Sequence, residues 1–152
     1  MASLNCVLII AMLAVASASA CSPPFVDIDN RCYFFQHEMA LTWGEARAYC
    51  QAMGDRVDLA VVDSCERLGL TWHFIVNNYG PHWYWIGATD AGHRGDWEWV
   101  TGYSVAIGTP FWYPNHPNAQ GSCLALEHKT GYFVDFDCTV AGNFICENSI
   151  ND

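Results

Sequence analysis

The stretch W-Y-P-N-H-P-N-A-Q-G-S-C at residues 112–123, followed by F-V-D-F-D-C at 133–138, decides how the rest of the chain is read. Its Pro, Asn and Gly content is too high for regular structure. Yet Cys123 and Cys138 bracket its second half, which is how a chain fixes a functional loop. If these two cysteines are bonded, His116-Pro117-Asn118 and Phe133-Val134-Asp135 bring imidazole, amide and carboxylate groups near one another. Such a set can ligate a hard cation or hydrogen-bond a polyhydroxylated ligand.

Short aromatic runs flank the loop. Trp83 to Gly87 (W-Y-W-I-G) reads as a buried strand and Trp97 to Val100 as a shorter one, with Thr101-Gly102 turning the chain towards the loop. Behind it come strands at Cys123 to Leu126, Gly131 to Val134 and Asn143 to Cys146. Upstream, Thr42 and Glu45 form a capping box for a helix that ends at Gly54 and carries Trp43, Ala46, Tyr49, Cys50 and Met53 on one face. Leu59 to Val62 is strand-like. Asp63 and Glu66 then repeat the box before a second helix, whose stripe Leu68, Thr71, Trp72, Ile75 and Val76 faces the core and which Tyr79-Gly80-Pro81 terminates. The Pro-punctuated segment from Cys21 to Cys32 reads as a hairpin closed by a disulfide between those two residues. Two helices early and several short strands late make an α+β chain with little helix.

Residues 1–20 carry no charge, and an apolar run from Cys6 to Val15 leads into A-S-A-S-A at 16–20. This reads as a secretory signal cleaved before Cys21. The apolar run is shorter than the roughly 20 residues that cross a bilayer, so no membrane insertion is expected. Residues 21–152 are then one domain by length. The chain has 8 cysteines; with Cys6 in the signal, an odd number remains for the disulfides of a secreted protein, and one is left over. Six basic against 16 acidic residues give a net charge of −10, which repels nucleic acid and anionic membrane surfaces. No catalytic residues are assigned: the histidines are scattered, His37-Glu38 lacks a second histidine four residues after the first, and no G-x-S-x-G turn occurs.

Together these motifs resemble a C-type lectin-like domain. The residues that carry the resemblance are Trp85-Ile86-Gly87 with Asp90, the W-x-W-x-x-G run from Trp97 to Gly102, and Trp112-x-Pro-x-His-Pro-Asn. The cysteine frame at 50, 123, 138 and 146, with Phe144-Ile145-Cys146-Glu147 as closing strand, completes it. The resemblance spans Cys21 to about Glu147. It implies two helices, two small antiparallel sheets and a long disulfide-held loop, with Cys50 paired to Cys146, Cys123 to Cys138 and Cys21 to Cys32. Cys65 is then the cysteine without a partner. A buried thiol is the favoured reading, because free cysteines are so often buried, and a link between two chains is the other.

In sugar-binding members of that family, calcium is held by Glu-Pro-Asn or Gln-Pro-Asp, by a glutamate before a loop cysteine and by Trp-Asn-Asp, and the ion also binds two sugar hydroxyls. Here His116-Pro117-Asn118 and Phe133-Val134-Asp135 replace the tripeptides, and Gly121 and Ser122 stand where acidic residues would be. The implied metal ligands are therefore Asn118 and Asp135. Imidazole at 116 suits softer metals better than calcium; Asp137 and Glu127 are the carboxylates that a differently bent loop would bring in. At the family's auxiliary calcium site Asp90 is retained, but Arg94 and Ala119 replace acidic residues. The resemblance implies a secreted lectin that binds carbohydrate, microbial surface glycans in innate immunity among them, through His116, Pro117, Asn118 and Asp135. Pro117 would be a cis proline, and Asn118 leans towards mannose-like sugars. His116 would hydrogen-bond a hydroxyl and make binding pH-sensitive near roughly 6.5. Two other readings keep the fold without sugar or calcium. In one, Asn118 and Asp135 only satisfy loop backbone groups; in the other, Arg94-Gly95-Asp96 on a polar turn is an adhesion tripeptide that binds protein.

Overall fold

The hairpin expected from Cys21 to Cys32 opens the fold. The computed structural model describes residues 21–105 and 111–149, so the signal segment lies outside the described residues. Strands β1 (Val26–Ile28) and β2 (Arg31–Leu41) pair antiparallel around Asp29 and Asn30, both at positive φ. Asp27 Oδ1 accepts the Asn30 N–H, the short polar side chains suiting a tight turn. Cys21 and Cys32 are bonded.

Helix α1 (Trp43–Ala52) has the reciprocal capping box of Thr42 and Glu45. Trp43, Ala46 and Cys50 are its buried residues, and the Cys50–Cys146 disulfide staples it to β8 (Gly142–Asn148). The short strand β3 (Val57–Leu59) also pairs with β8. Helix α2 (Cys65–Asn78) begins one residue later than Asp63 would place it. Ser64 is the N-cap and accepts the Arg67 N–H, while Asp63 binds the Arg67 side chain instead. Leu68, Thr71 and Ile75 are buried, but Val76 is exposed, so the apolar stripe is narrower than expected. Because that stripe begins only at Leu68, the first turn projects past the core and Cys65 is exposed, which corrects the buried-thiol expectation.

The remaining strands are β4 (Tyr84–Thr89), β5 (Glu98–Trp99), β6 (Cys123–Leu126) and β7 (Phe133–Phe136). The α+β class stands, but the strands expected as two antiparallel sheets form one mixed sheet in the order β1-β2-β8-β4-β6-β7. The join is the parallel pairing of β4 with β8 through Tyr84–Asn143 and Trp85–Phe144. Both faces of its centre are covered. Tyr33, Tyr84, Ile86, Leu124, Leu126 and Phe133 pack on one side, and Trp85, Ala125, Phe144 and the Cys50–Cys146 bond on the other. Strand alternation assigns each side chain to its face, and double coverage explains why Y-W-I-G-A reads as a continuous apolar run.

Candidate functional site

The long loop is fastened to β7 at its base. Phe133 N–H donates to Phe111 O and Tyr113 N–H to Phe133 O, while the Trp112 ring packs edge-on against Trp97 and Phe133 in the core. The Cys123–Cys138 disulfide closes the far side. Between these anchors the backbone turns sharply, with a cis His116–Pro117 bond and positive φ at Asn115 and Ala119.

Because side chains alternate along β7, Asp135 lies on the same face as Phe133, beneath the loop. Its side chain is wholly buried. Oδ1 accepts from His116 Nδ1 at 2.5 Å and Asn118 N at 2.9 Å, and Oδ2 from Gln120 N at 3.2 Å and Gly121 N at 3.4 Å. Burial alone would raise the Asp135 pKa, but the bonds from Asn118, His116 and Gly121 outweigh it and hold the carboxyl below its ordinary range. With the carboxylate as acceptor, Nδ1 of His116 carries the proton, and Nε2 is turned away from Asp135. Asn118 is exposed, and its Oδ1 accepts the Gln120 N–H. The structure thus gathers His116, Pro117, Asn118 and Asp135, with Asp135 as the buried anchor.

On the opposite face of the β6–β7 pair lies a cleft of about 410 Å³. Trp83, Tyr113, Val134 and Phe136 supply its apolar surface, with His116, His128 and Lys129 on its rim. Trp83 packs on Phe136 at 5.3 Å between centroids and edge-on to Trp85 at 5.0 Å. A Cβ on Gly142 would overlap the Trp83 ring, so glycine there lets the indole lie flat on β8.

Residues 39–148 match the sequence profile of the Lectin C-type domain. The chain belongs to the C-type lectin domain family. The lectin domain is 30% identical over 129 residues to C-type lectin domain family 17, member A of Homo sapiens, covering 84% of this chain and 32% of that protein. It is 30% identical over 141 residues to Struthiocalcin-2 of Struthio camelus, covering 85% and 96%. It superposes on the mouse scavenger receptor C-type lectin carbohydrate-recognition domain with a TM-score of 0.74 at 25% identity, covering 87% of this chain and 98% of that one. The chain therefore spans about a third of the length of the first relative and nearly all of the second.

C-type lectin domains generally bind calcium, but the residues present in this lectin domain do not fit the ion. Both Asp135 oxygens already accept two N–H groups each, and the Asn118 oxygen is engaged in its own turn. Gly121, where the resemblance places an acid, has no room for a side chain, since a Cβ would overlap the Phe136 backbone. The carboxylates that a different bend would recruit are spent locally. Glu127 Oε2 accepts from Lys129 N, Thr130 N and Thr130 Oγ1, and Asp137 Oδ1 from Thr139 N and Oγ1. Asp90 is buried, and its Oδ2 accepts the Gly95 N–H, leaving only its Oδ1 without a protein partner. One oxygen is far from the six to eight or so that calcium takes, and no group of three His, Cys, Asp or Glu side chains is placed to hold a metal among the described residues.

Arg94-Gly95-Asp96 is exposed as expected, but its arginine is laid across the surface onto the long loop. Arg94 Nη1 donates to Ser122 Oγ at 2.6 Å and Nη2 to the Ala119 carbonyl. The loop residues were legible in the sequence, whereas the cleft was not. Trp83, Tyr113, Phe136, His128 and Lys129 come from four separate segments. The one available signal was the period-two pattern of F-V-D-F, which sets Val134 and Phe136 opposite Asp135.

Proposed function

We propose that the protein is a secreted carbohydrate-binding lectin and that the sugar lies in the cleft beside the long loop. The observation that supports this most is the make-up of that cleft. The aromatic faces of Trp83, Tyr113 and Phe136 suit the apolar face of a pyranose ring, and the imidazole and ammonium groups on the rim suit its hydroxyls. His116 offers Nε2 to a hydroxyl, the exposed Asn118 amide extends the contact along the loop, Pro117 sets their relative position, and Asp135 anchors all three without touching the ligand. Calcium plays no part in holding the sugar in this scheme. Glycans of microbial surfaces are the proposed targets in innate defence, and three disulfides suit an extracellular setting. A single weak site needs multivalency to hold a surface, for which the exposed Cys65 thiol is the proposed link between copies.

Titration calorimetry of the disulfide-intact protein with methyl mannoside and methyl galactoside, in EDTA and in calcium, tests this reading. Sugar heat in EDTA that is lost in Phe136→Ala and weakened in Asn118→Ala is the expected result. Heat that appears only with calcium would move recognition to an ion site, and no heat with any glycan would remove the lectin reading altogether.

A further inference from the structure

We propose that His116 and Arg94 are positioning residues that do in this chain what calcium ions do in sugar-binding members of the family: they tie the long loop to the sheet beneath it. The proposal concerns how the loop is held and does not depend on which sugar, if any, the cleft accepts.

Two separate contacts carry it. At the first, a buried carboxylate on β7 meets loop backbone N–H groups and the His116 imidazole. A buried carboxylate must be hydrogen-bonded or paired, and here the chain's own donors meet that need. At the second, Arg94 crosses from the turn after β4 to the far end of the loop and bonds both Ala119 O and Ser122 Oγ. The same turn is further bound to the loop by Thr89 Oγ1 at 2.5 Å and Asp90 N at 3.1 Å, both donating to Ser122 O. A guanidinium presents several donors in a fixed fork, so one side chain spans two loop residues three positions apart. It needs only carbonyl and hydroxyl acceptors, whereas an ion would need carboxylates around it. Ala119 is also held at φ +62°, a conformation a residue with a side chain adopts at a cost, and the Arg94 contact fastens its carbonyl there.

A donor that is part of the chain cannot dissociate, so the order of this loop is independent of calcium concentration, unlike that of a loop stabilised by a bound ion. The glycine at 121 makes the arrangement exclusive, because no acidic ligand can be accommodated at that position.

Hydrogen–deuterium exchange of the Asn118, Gln120 and Gly121 amides in the full disulfide-intact protein tests the proposal. In the wild type, exchange is expected to change less than about twofold between EDTA and saturating calcium. Arg94→Gln, an exposed substitution that leaves the core untouched, is expected to speed it about tenfold in either condition, with Arg94→Lys recovering part of the loss. His116→Leu, which removes the donor to Asp135, is expected to speed exchange at Asn118 first. Exchange in the wild type that accelerates about tenfold in EDTA, or that is unchanged in both Arg94→Gln and His116→Leu, would overturn it.

Discussion

Replacing Asp135 by alanine removes the acceptor of four donors at once. A hydrogen bond to a charged group contributes about 1.5–3 kcal/mol. His116 Nδ1 at 2.5 Å and Asn118 N at 2.9 Å count in full, while Gln120 N at 3.2 Å and Gly121 N at 3.4 Å are long. Asn118 and Gln120 are exposed and regain water when the acceptor goes, which brings the expected loss down to about 3–4 kcal/mol. For a domain of this size that lowers the melting midpoint by roughly 10–15 °C. Asp135→Asn should cost nearly as much, because an amide presents one acceptor and turns its NH2 towards N–H groups. The pH dependence has a definite sign. The folded-state pKa of Asp135 is held below its unfolded value, so its stabilisation is complete above the unfolded value of about 3.9 and is lost as pH falls through the folded one. The gap between wild type and Asp135→Asn should therefore be full at neutral pH and close progressively below about pH 4. Urea denaturation of both proteins along that series measures it. A loss under about 1 kcal/mol at neutral pH, or a gap that stays constant into strong acid, would refute the assignment of Asp135 as the loop's anchor.

Two further substitutions separate cleft from frame. Gly142→Ala should push the Trp83 indole off β8, costing about 1–3 kcal/mol and weakening sugar binding, with a shift in tryptophan emission as the readout. Replacing both Cys50 and Cys146 by alanine opens a loop of 96 residues. By chain-entropy reckoning that costs about 4–5 kcal/mol, measurable as a fall in the denaturation midpoint.

The parts of this molecule written in local sequence were legible. The Thr42–Glu45 capping box, the terminal hairpin and the Trp112-to-Asn118 loop motif all depend on residues within a few positions of one another. Where two neighbours offered the same chemistry, the sequence reading chose Asp63 and the structure uses Ser64. Asp63 and Ser64 can each cap α2, and the Asp63 carboxylate is taken by the Arg67 side chain, leaving the hydroxyl to the backbone. Cys65 was misplaced because helical spacing says which residues share a face and not how far the core extends along it. The parallel join of β4 to β8 unites strands about sixty residues apart, through Tyr84–Asn143 and Trp85–Phe144, and no local motif in either strand names its partner.

The identity of the family, its disulfide frame and the departure of His116, Gly121 and Arg94 from a calcium-binding pattern were determined by sequence alone, because residue types at fixed spacing carry them. What those departures do was decided only by the tertiary structure. Asp135 could have faced solvent and an ion or the loop's own N–H groups, and Arg94 could have reached outwards as part of an adhesion tripeptide. The fold brings β7 beneath the loop and the turn after β4 beside it, and a buried carboxylate then takes whatever donors lie within hydrogen-bonding distance.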